Sequence, residues 1–273
     1  MKFLKNKLSL TAMTLAVIFS GLFLAACSAN AVTRDNHYGL VNANQLIVAT
    51  SADFPPFQSI VNRQYVGIDI DIAQTIADEM GLQLVIRNMQ FAATIPALTS
   101  TNRAVASDLV LSGMTITAER AQVVDFSTGY FDSGQIIMTN ASRGTLNNDM
   151  TADQIRAHLS TQTIGAVAGQ TGYNHAREIA GNNVMVFSNN HLLALAMQNG
   201  QVHYSIQGAV ATQGIVNANP GLVAINVPLT DEQYGAAVAR GNTNLLNRVN
   251  EIIKAMQADG RMTAIFNKHL ATV

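Results

Sequence analysis

Apolar residues fall along this chain in two kinds of run, and the kinds alternate. From residue 46 onward, short continuous blocks such as Leu46-Ile47-Val48-Ala49 and Leu109-Val110-Leu111 are separated by longer stretches in which apolar positions recur every three or four residues. The short blocks read as buried strands and the spaced ones as amphipathic helices. Ile68, Ile72, Ile76 and Met80 share one face of a helix predicted over 68–80, with Gly81 as its C-cap. Strands are predicted at 46–49, 82–86, 109–111 and 135–139, a helix at 91–99 and a helical turn at 117–122. A polar stretch over 141–150 separates this unit from a second series. That series has strands at 164–167, 184–187 and 202–206 and helices at 172–180, 190–198 and 209–217. After the turn signal Asn219-Pro220-Gly221 come strands at 223–227 and 234–239 and a helical stretch over 243–270, interrupted near Gly260. The alternation predicts an α/β fold of mostly parallel sheets. Ligands of such doubly wound sheets bind outside the carboxyl ends of the strands, so two units facing each other place a cleft between them.

The N-terminus decides the compartment. Lys2, Lys5 and Lys7 precede an apolar run from Leu8 to Leu24, the charge and length of a signal peptide. The run ends in Leu24-Ala25-Ala26-Cys27, which resembles the bacterial lipobox, and the resemblance implies lipidation of Cys27 after removal of residues 1–26. An ordinary secretory cleavage site and an uncleaved anchor helix are the other readings. Residues 27–43 are expected to be a polar tether. The chain is thus expected to be secreted across the cytoplasmic membrane and held by lipid at its extracytoplasmic face or in the periplasm. No later segment has the roughly 20 apolar residues needed to span a bilayer.

Composition narrows the classes further. The 273 residues carry a formal charge of −1, which gives no electrostatic footprint for nucleic acid. Cys27 is the only cysteine, so no thiol remains for a disulfide or a cysteine metal site. Neither HExxH nor GxSxG occurs, and no metal or cofactor is expected. The six histidines, His37, His158, His175, His191, His203 and His269, are scattered and read as surface or internally satisfied residues.

Four blocks carry a resemblance. Ala52-Asp53-Phe54-Pro55-Pro56-Phe57 follows the first strand, and Gly67-Ile68-Asp69-Ile70-Asp71 opens the first helix. Asn88-Met89-Gln90-Phe91 precedes Ile95-Pro96-Ala97-Leu98, and Ser112-Gly113-Met114-Thr115-Ile116-Thr117-Ala118-Glu119-Arg120 precedes Val124-Asp125-Phe126-Ser127. These resemble the polar amino-acid solute-binding proteins of ABC importers, family 3 of the bacterial extracellular solute-binding proteins, over nearly all of the chain after residue 44. The resemblance implies a two-lobed periplasmic-binding-protein-like fold of type II, two doubly wound sheets joined by a two-segment hinge. Lobe 1 would comprise 44–137 and 228–273 and lobe 2 138–227, with crossing segments near 137–139 and 224–228. It implies a monomer, not an enzyme, that takes a small carboxylate-bearing ligand and delivers it to an importer permease.

Each candidate site residue has a chemical reason. A ligand carboxylate needs a bidentate cation, and Arg120 supplies a guanidinium fork, with Gly113, Met114 and Thr115 beside it. The alternative is a surface arginine pairing with Glu119 or Asp125. Gln170, Thr171 and Gly172 lie between a strand and a helix, where free N–H groups and the helix dipole favour an anion. A plain tight turn is the other reading. Phe54, Phe57 and Phe91 match aromatic walls of the family cleft, or are core packing. Asp53 matches a position that touches the ligand's side chain or amine, or forms an Asx turn before the prolines. Asp69 and Asp71 at a helix start read as capping and dipole complements.

One departure stands out. Where the family carries an aspartate that binds the ligand's α-ammonium, this chain has Gly208, in the run Val202-His203-Tyr204-Ser205-Ile206-Gln207-Gly208. Either Asp53 takes over, or Gln207 accepts a weaker bond, or the ligand is not an ordinary α-amino acid. Two alternatives remain: an enzyme resembling cyclohexadienyl dehydratase, with Asp53 or Glu232 as general acid, and a sensing module on the same scaffold.

Overall fold

The computed structural model describes residues 36–271. The chain first forms β1 (Gln45–Thr50), a hairpin of β2 (Ser59–Val61) and β3 (Gln64–Val66), α1 (Ile68–Glu79), β4 (Gln83–Asn88), α2 (Phe91–Thr99), β5 (Leu109–Val110) and β6 (Val124–Phe126). It continues through β7 (Phe131–Ser133), β8 (Gln135–Asn140), α3 (Ala152–Leu159), β9 (Ile164–Val167), α4 (Thr171–Ala180), β10 (Val184–Phe187) and α5 (Asn190–Gln198). It closes with β11 (Tyr204–Gly208), α6 (Ala209–Ala218), β12 (Leu222–Ile225), β13 (Glu232–Tyr234), β14 (Ala237–Ala239), α7 (Thr243–Asp259) and α8 (Arg261–Leu270).

Two five-stranded sheets result, ordered β4-β1-β5-β14-β6 and β10-β9-β11-β8-β12. In each, one strand runs against the others: β14 in the first sheet and β8 in the second. These are the strands that adjoin the two chain crossings. Just before each of them the chain passes through β7 and β13, which pair with one another as an antiparallel ribbon, Glu232 opposite Ser133 and Tyr234 opposite Phe131. The crossings expected near 137–139 and 224–228 fall elsewhere: Gln135–Asn140 and Leu222–Ile225 are paired inside the second sheet. Ile136, Ile137 and Met138 are buried there, and an apolar run cannot say which of two cores buries it.

Each sheet has its own core. Ile68, Ile72 and Ile76 of α1 pack with Leu46 and Val48 of β1 and with Val249, Ile252 and Ile253 of α7. Full burial of such a side chain contributes about 1.5–3 kcal/mol. In the second lobe Ile137, Ile155, Ile164, Ala176 and Ile206 form the equivalent cluster. Gly260, at φ +86, ends α7 and opens α8, which is the interruption expected in the terminal helix.

Several features differ from the sequence reading. The strand expected at 234–239 is two strands in different sheets, with Gly235 at the bend, where a Cβ would lie 2.8 Å from Ile116 Cδ1. The β2–β3 hairpin turns on Asn62 and Arg63, both at positive φ, so no glycine announces it. Helix α3 starts at Thr151, whose hydroxyl and Gln154 form a capping box. Residues 36–43, expected in the tether, dock on the body: Leu40 is buried in the first core, and Val41 N–H donates to Asp108 Oδ1 at 2.7 Å. The leader 1–26 and Cys27 lie outside the described residues. Among the described residues no helix is long and apolar enough to cross a membrane, and no His, Cys, Asp and Glu cluster fit to hold a metal occurs.

Candidate binding site between the two lobes

The carboxyl ends of β1, β5, β9 and β11 converge on a cavity of about 20 Å³ between the sheets. Nine of the expected site residues line it: Phe54, Phe91, Gly113, Thr115 and Arg120 from the first lobe, and Gln170, Thr171, Gly172 and Gly208 from the second. Ser112, Gln135 and Tyr234 line it as well. A cavity needs roughly 10–15 Å³ to hold one water, so in this form the lobes are shut against each other.

Arg120 begins a single 3₁₀ turn whose backbone is anchored by Thr117 Oγ1. Its Nη1 donates to the Thr115 carbonyl at 2.7 Å and its Nη2 to the Gly169 carbonyl of the opposite lobe at 2.8 Å. The guanidinium carbon stands 5.4 Å from the centroid of the Phe91 ring, a cation–π distance. Burial lowers its pKa to about 10, with Glu232, Glu119 and Tyr234 pulling the other way, so the group stays charged at neutral pH. The alternative, a surface pairing with Glu119 or Asp125, is not how it is held.

Opposite Arg120, α4 points its N-terminus at the cavity. Gln170 is the N-cap residue and Gly169, at φ +79, makes the turn into it. Gly172 is a glycine for a steric reason: a Cβ there would stand 2.0 Å from the Ile206 carbonyl oxygen, so only a bare backbone lets α4 approach β11 this closely. Gly113, at φ +55, is held by its N–H donating to Asp69 Oδ2 at 2.6 Å. Asp69 also accepts from Tyr130 Oη at 2.8 Å, and burial pushes its carboxyl up to about 7 against both bonds. Asp69 therefore positions the Gly113 block, beyond a dipole role.

Four expected contacts are placed behind the cavity wall. Phe57 is fully buried, edge-on to Phe131 and Tyr234 at 5.0 and 5.1 Å. Met114 packs with Phe91, Val110 and Ala237. Gln207 is buried, its Nε2 donating to Ser205 Oγ at 3.2 Å. Asp53 accepts from Ser51 Oγ at 2.7 Å and from the Asn190 N–H at 2.6 Å, so its carboxylate bridges the lobes at the start of α5, where a negative charge complements the helix dipole.

The polar hub of the site is Glu232, which the sequence suggested only as an enzymatic acid. Its Oε2 accepts from Thr115 Oγ1 at 2.9 Å, Gln135 Nε2 at 3.0 Å and Thr171 Oγ1 at 3.1 Å. Its Oε1 accepts from His175 Nε2 at 3.1 Å and Thr230 Oγ1 at 3.2 Å. Burial pushes the carboxyl up, but the bonds from His175, Gln135, Thr115 and Thr171 together outweigh it and hold the group at about 2. His175 is sandwiched, its Nδ1 meeting Glu178 Oε2 at 3.2 Å, and the bond to Glu232 raises its pKa above the ordinary 6.5. Asp132, Glu178 and Asp231 line the same side of the cleft and favour the protonated ring.

The sign of the pH effect follows from both partners. His175 has a raised pKa, so its contribution is complete below 6.5 and is lost as pH rises through the folded value. Glu232 has a lowered one, complete above 4.5 and lost toward 2. The His175–Glu232 link is therefore strongest between about 4.5 and 6.5. Thermal melts should show the wild type losing stability from pH 6 to 8 relative to His175→Ala; parallel profiles would refute the link.

Two facing α/β lobes closed on a polar cavity, with a charged guanidinium at its wall, define a clamshell solute-binding protein. The chain belongs to the bacterial extracellular solute-binding proteins, family 3, whose model matches residues 46–272. A relative from Escherichia coli (strain K12), the putative ABC transporter arginine-binding protein 2, is 28% identical over 236 residues, covering 83% of this chain and 90% of its own. The probable histidine-binding protein of Neisseria gonorrhoeae is 26% identical over 264 residues, 94% of each chain. The solved structure of holo ArgBP from T. maritima superposes with a TM-score of 0.72 at 32% identity, over 78% of this chain and 91% of that one. The protein is accordingly an extracytoplasmic solute-binding protein of an ABC importer, of a family whose members bind substrates rather than convert them.

Proposed function

We propose that this protein is a lipid-anchored, monomeric receptor that closes on a single small amino acid, holds its carboxylate on Arg120, and presents it to an importer permease. The observation that carries the reading is Arg120 itself: a charged guanidinium fixed at the cavity wall by Thr115, Gly169 and Phe91, touching both lobes. The N-terminus of α4 faces it and adds a second anion-favouring element. Since the shut cavity holds little more than a water, a ligand is admitted only when the lobes part about the β7–β13 ribbon, and its contacts to both lobes then favour reclosure.

Relatives named for arginine and histidine favour a cationic or polar amino acid as the ligand. An enzymatic role is disfavoured by the two carboxyls offered for it. Glu232 is ionised and surrounded by donors, and both oxygens of Asp53 are taken by Ser51 and Asn190. A thermal-shift panel of amino acids tests the receptor reading directly. A ligand present at 100 times its Kd should stabilise the protein by about 2.7 kcal/mol, and prephenate or arogenate should be returned unconverted. No shift with any member, or turnover of either acid, would count against it. Anchoring rests on Cys27: labelled palmitate should enter the expressed wild type and not Cys27→Ser.

A further inference from the structure

The amine half of the site is the part the sequence left open, because Gly208 stands where a carboxylate was expected. The structure closes that position to an acid. A Cβ on Gly208 would lie 2.3 Å from Tyr234 Oη and 3.3 Å from Phe54 Cζ, so the tyrosine hydroxyl occupies the volume an acidic side chain would need. Asp53, the first alternative, spends both carboxylate oxygens on Ser51 and Asn190. Gln207, the second, is buried and does not line the cavity.

Gln135 does line it. Its side chain is buried, and its orientation is fixed: Nε2 donates to Glu232 Oε2 at 3.0 Å, and an ionised carboxylate can only accept. A second bond joins Nε2 to Thr171 Oγ1 at 3.1 Å. The other end of the amide, Oε1, is buried and has no hydrogen-bond partner, and it lies 3.2 Å from where a Cβ on Gly172, a fellow lining residue, would be. An orphaned buried acceptor at a cavity wall calls for a donor.

We infer that Gln135 Oε1 receives the ligand's ammonium, with Glu232 one hydrogen bond behind it as a positioning and polarising residue. By accepting from the amide N–H the carboxylate pushes electron density toward the amide oxygen, which strengthens Oε1 as an acceptor, and it places a negative charge near the ammonium. The charges then balance: Arg120 faces the ligand's carboxylate, and Glu232, through Gln135, faces its amine. The site thus selects zwitterions over simple carboxylates without an acid at 208. This inference rests on the receptor reading above.

The test compares an amino acid with its des-amino analogue, which keeps the carboxylate and side chain. All twenty L-amino acids and their des-amino acids are titrated by calorimetry into the full-length protein. The wild type should prefer the amino form of its tightest ligand by about ten- to hundredfold, the range of a charge-assisted hydrogen bond. Gln135→Met, which removes the acceptor at similar volume, should bring that ratio close to one. Glu232→Gln should lower it several-fold, and it decides the matter if Gln135→Met does not fold. A ratio that stays high in both variants overturns the inference. Equal binding of both forms by the wild type also overturns it, while leaving the carboxylate reading on Arg120 in place. No binding of either form removes the receptor reading, and this inference with it.

Discussion

Arg120→Ala is expected to weaken binding of any carboxylate-bearing ligand by a factor of about 30 or more. Removing one member of a buried, hydrogen-bonded charge pair costs about 2–5 kcal/mol or more, which is roughly a 30-fold to several-thousand-fold loss at about 1.4 kcal/mol per tenfold. The effect has two sources. The ligand's carboxylate loses its guanidinium partner, and the closed form loses the bond from Nη2 to the Gly169 carbonyl across the cleft. Arg120→Lys should recover little, because an ammonium cannot reach the Thr115 and Gly169 carbonyls together while stacking on Phe91. Calorimetry gives the first effect, and small-angle scattering of the ligand-free variant gives the second as a more open average shape. Full affinity in Arg120→Ala would remove the residue from the site.

The residues proposed to take the carboxylate were easy to single out because they lie in contiguous sequence. Gly113, Thr115 and Arg120 fall within one eight-residue block, and Gln170, Thr171 and Gly172 within one strand-to-helix turn, so local pattern and chemistry coincide. The sheets were legible for a similar reason, since blocks such as Ile164–Val167 are fully buried. The rest of the site comes from the β7–β13 ribbon and its edges, where Gln135 and Glu232 meet across 97 positions of sequence. Strands of three residues are too short to show alternation, and a glutamine opening an apolar run looks like its polar flank. His175, read as a surface or internally satisfied histidine, is partly exposed and satisfied by Glu178 and Glu232, and only the fold reveals these partners. Phe57 and Asp53 lie behind the cavity wall instead of lining it. They lie in a motif that surrounds the site, and the motif does not distinguish the residue at the wall from the one supporting it.

Restoring an acid at position 208 should destabilise the protein, and a second substitution should relieve it. The backbone is not the obstacle, since Gly208 has φ −55, a value open to any residue. The obstacle is Tyr234 Oη, 2.3 Å from the new Cβ. Tyr234 cannot swing aside, because its ring is wedged against Phe57 at 5.1 Å and Phe131 at 6.0 Å, and Ser133 Oγ donates to its hydroxyl at 3.1 Å. Overpacking of this kind costs about 1–3 kcal/mol, and burying a carboxylate adds to it. At roughly 2–4 °C per kcal/mol for a chain of this size, Gly208→Asp should lower Tm by about 2–12 °C from the packing alone. Tyr234→Phe deletes the offending oxygen, so the double variant should regain much of the loss, and the two changes should be strongly non-additive. Additive melting shifts would mean that Tyr234 does not guard the position. If the double variant also binds an amino acid more tightly than Tyr234→Phe alone, the pocket accepts a second amine anchor beside Gln135, and the hydroxyl of Tyr234 is what keeps the natural site to one.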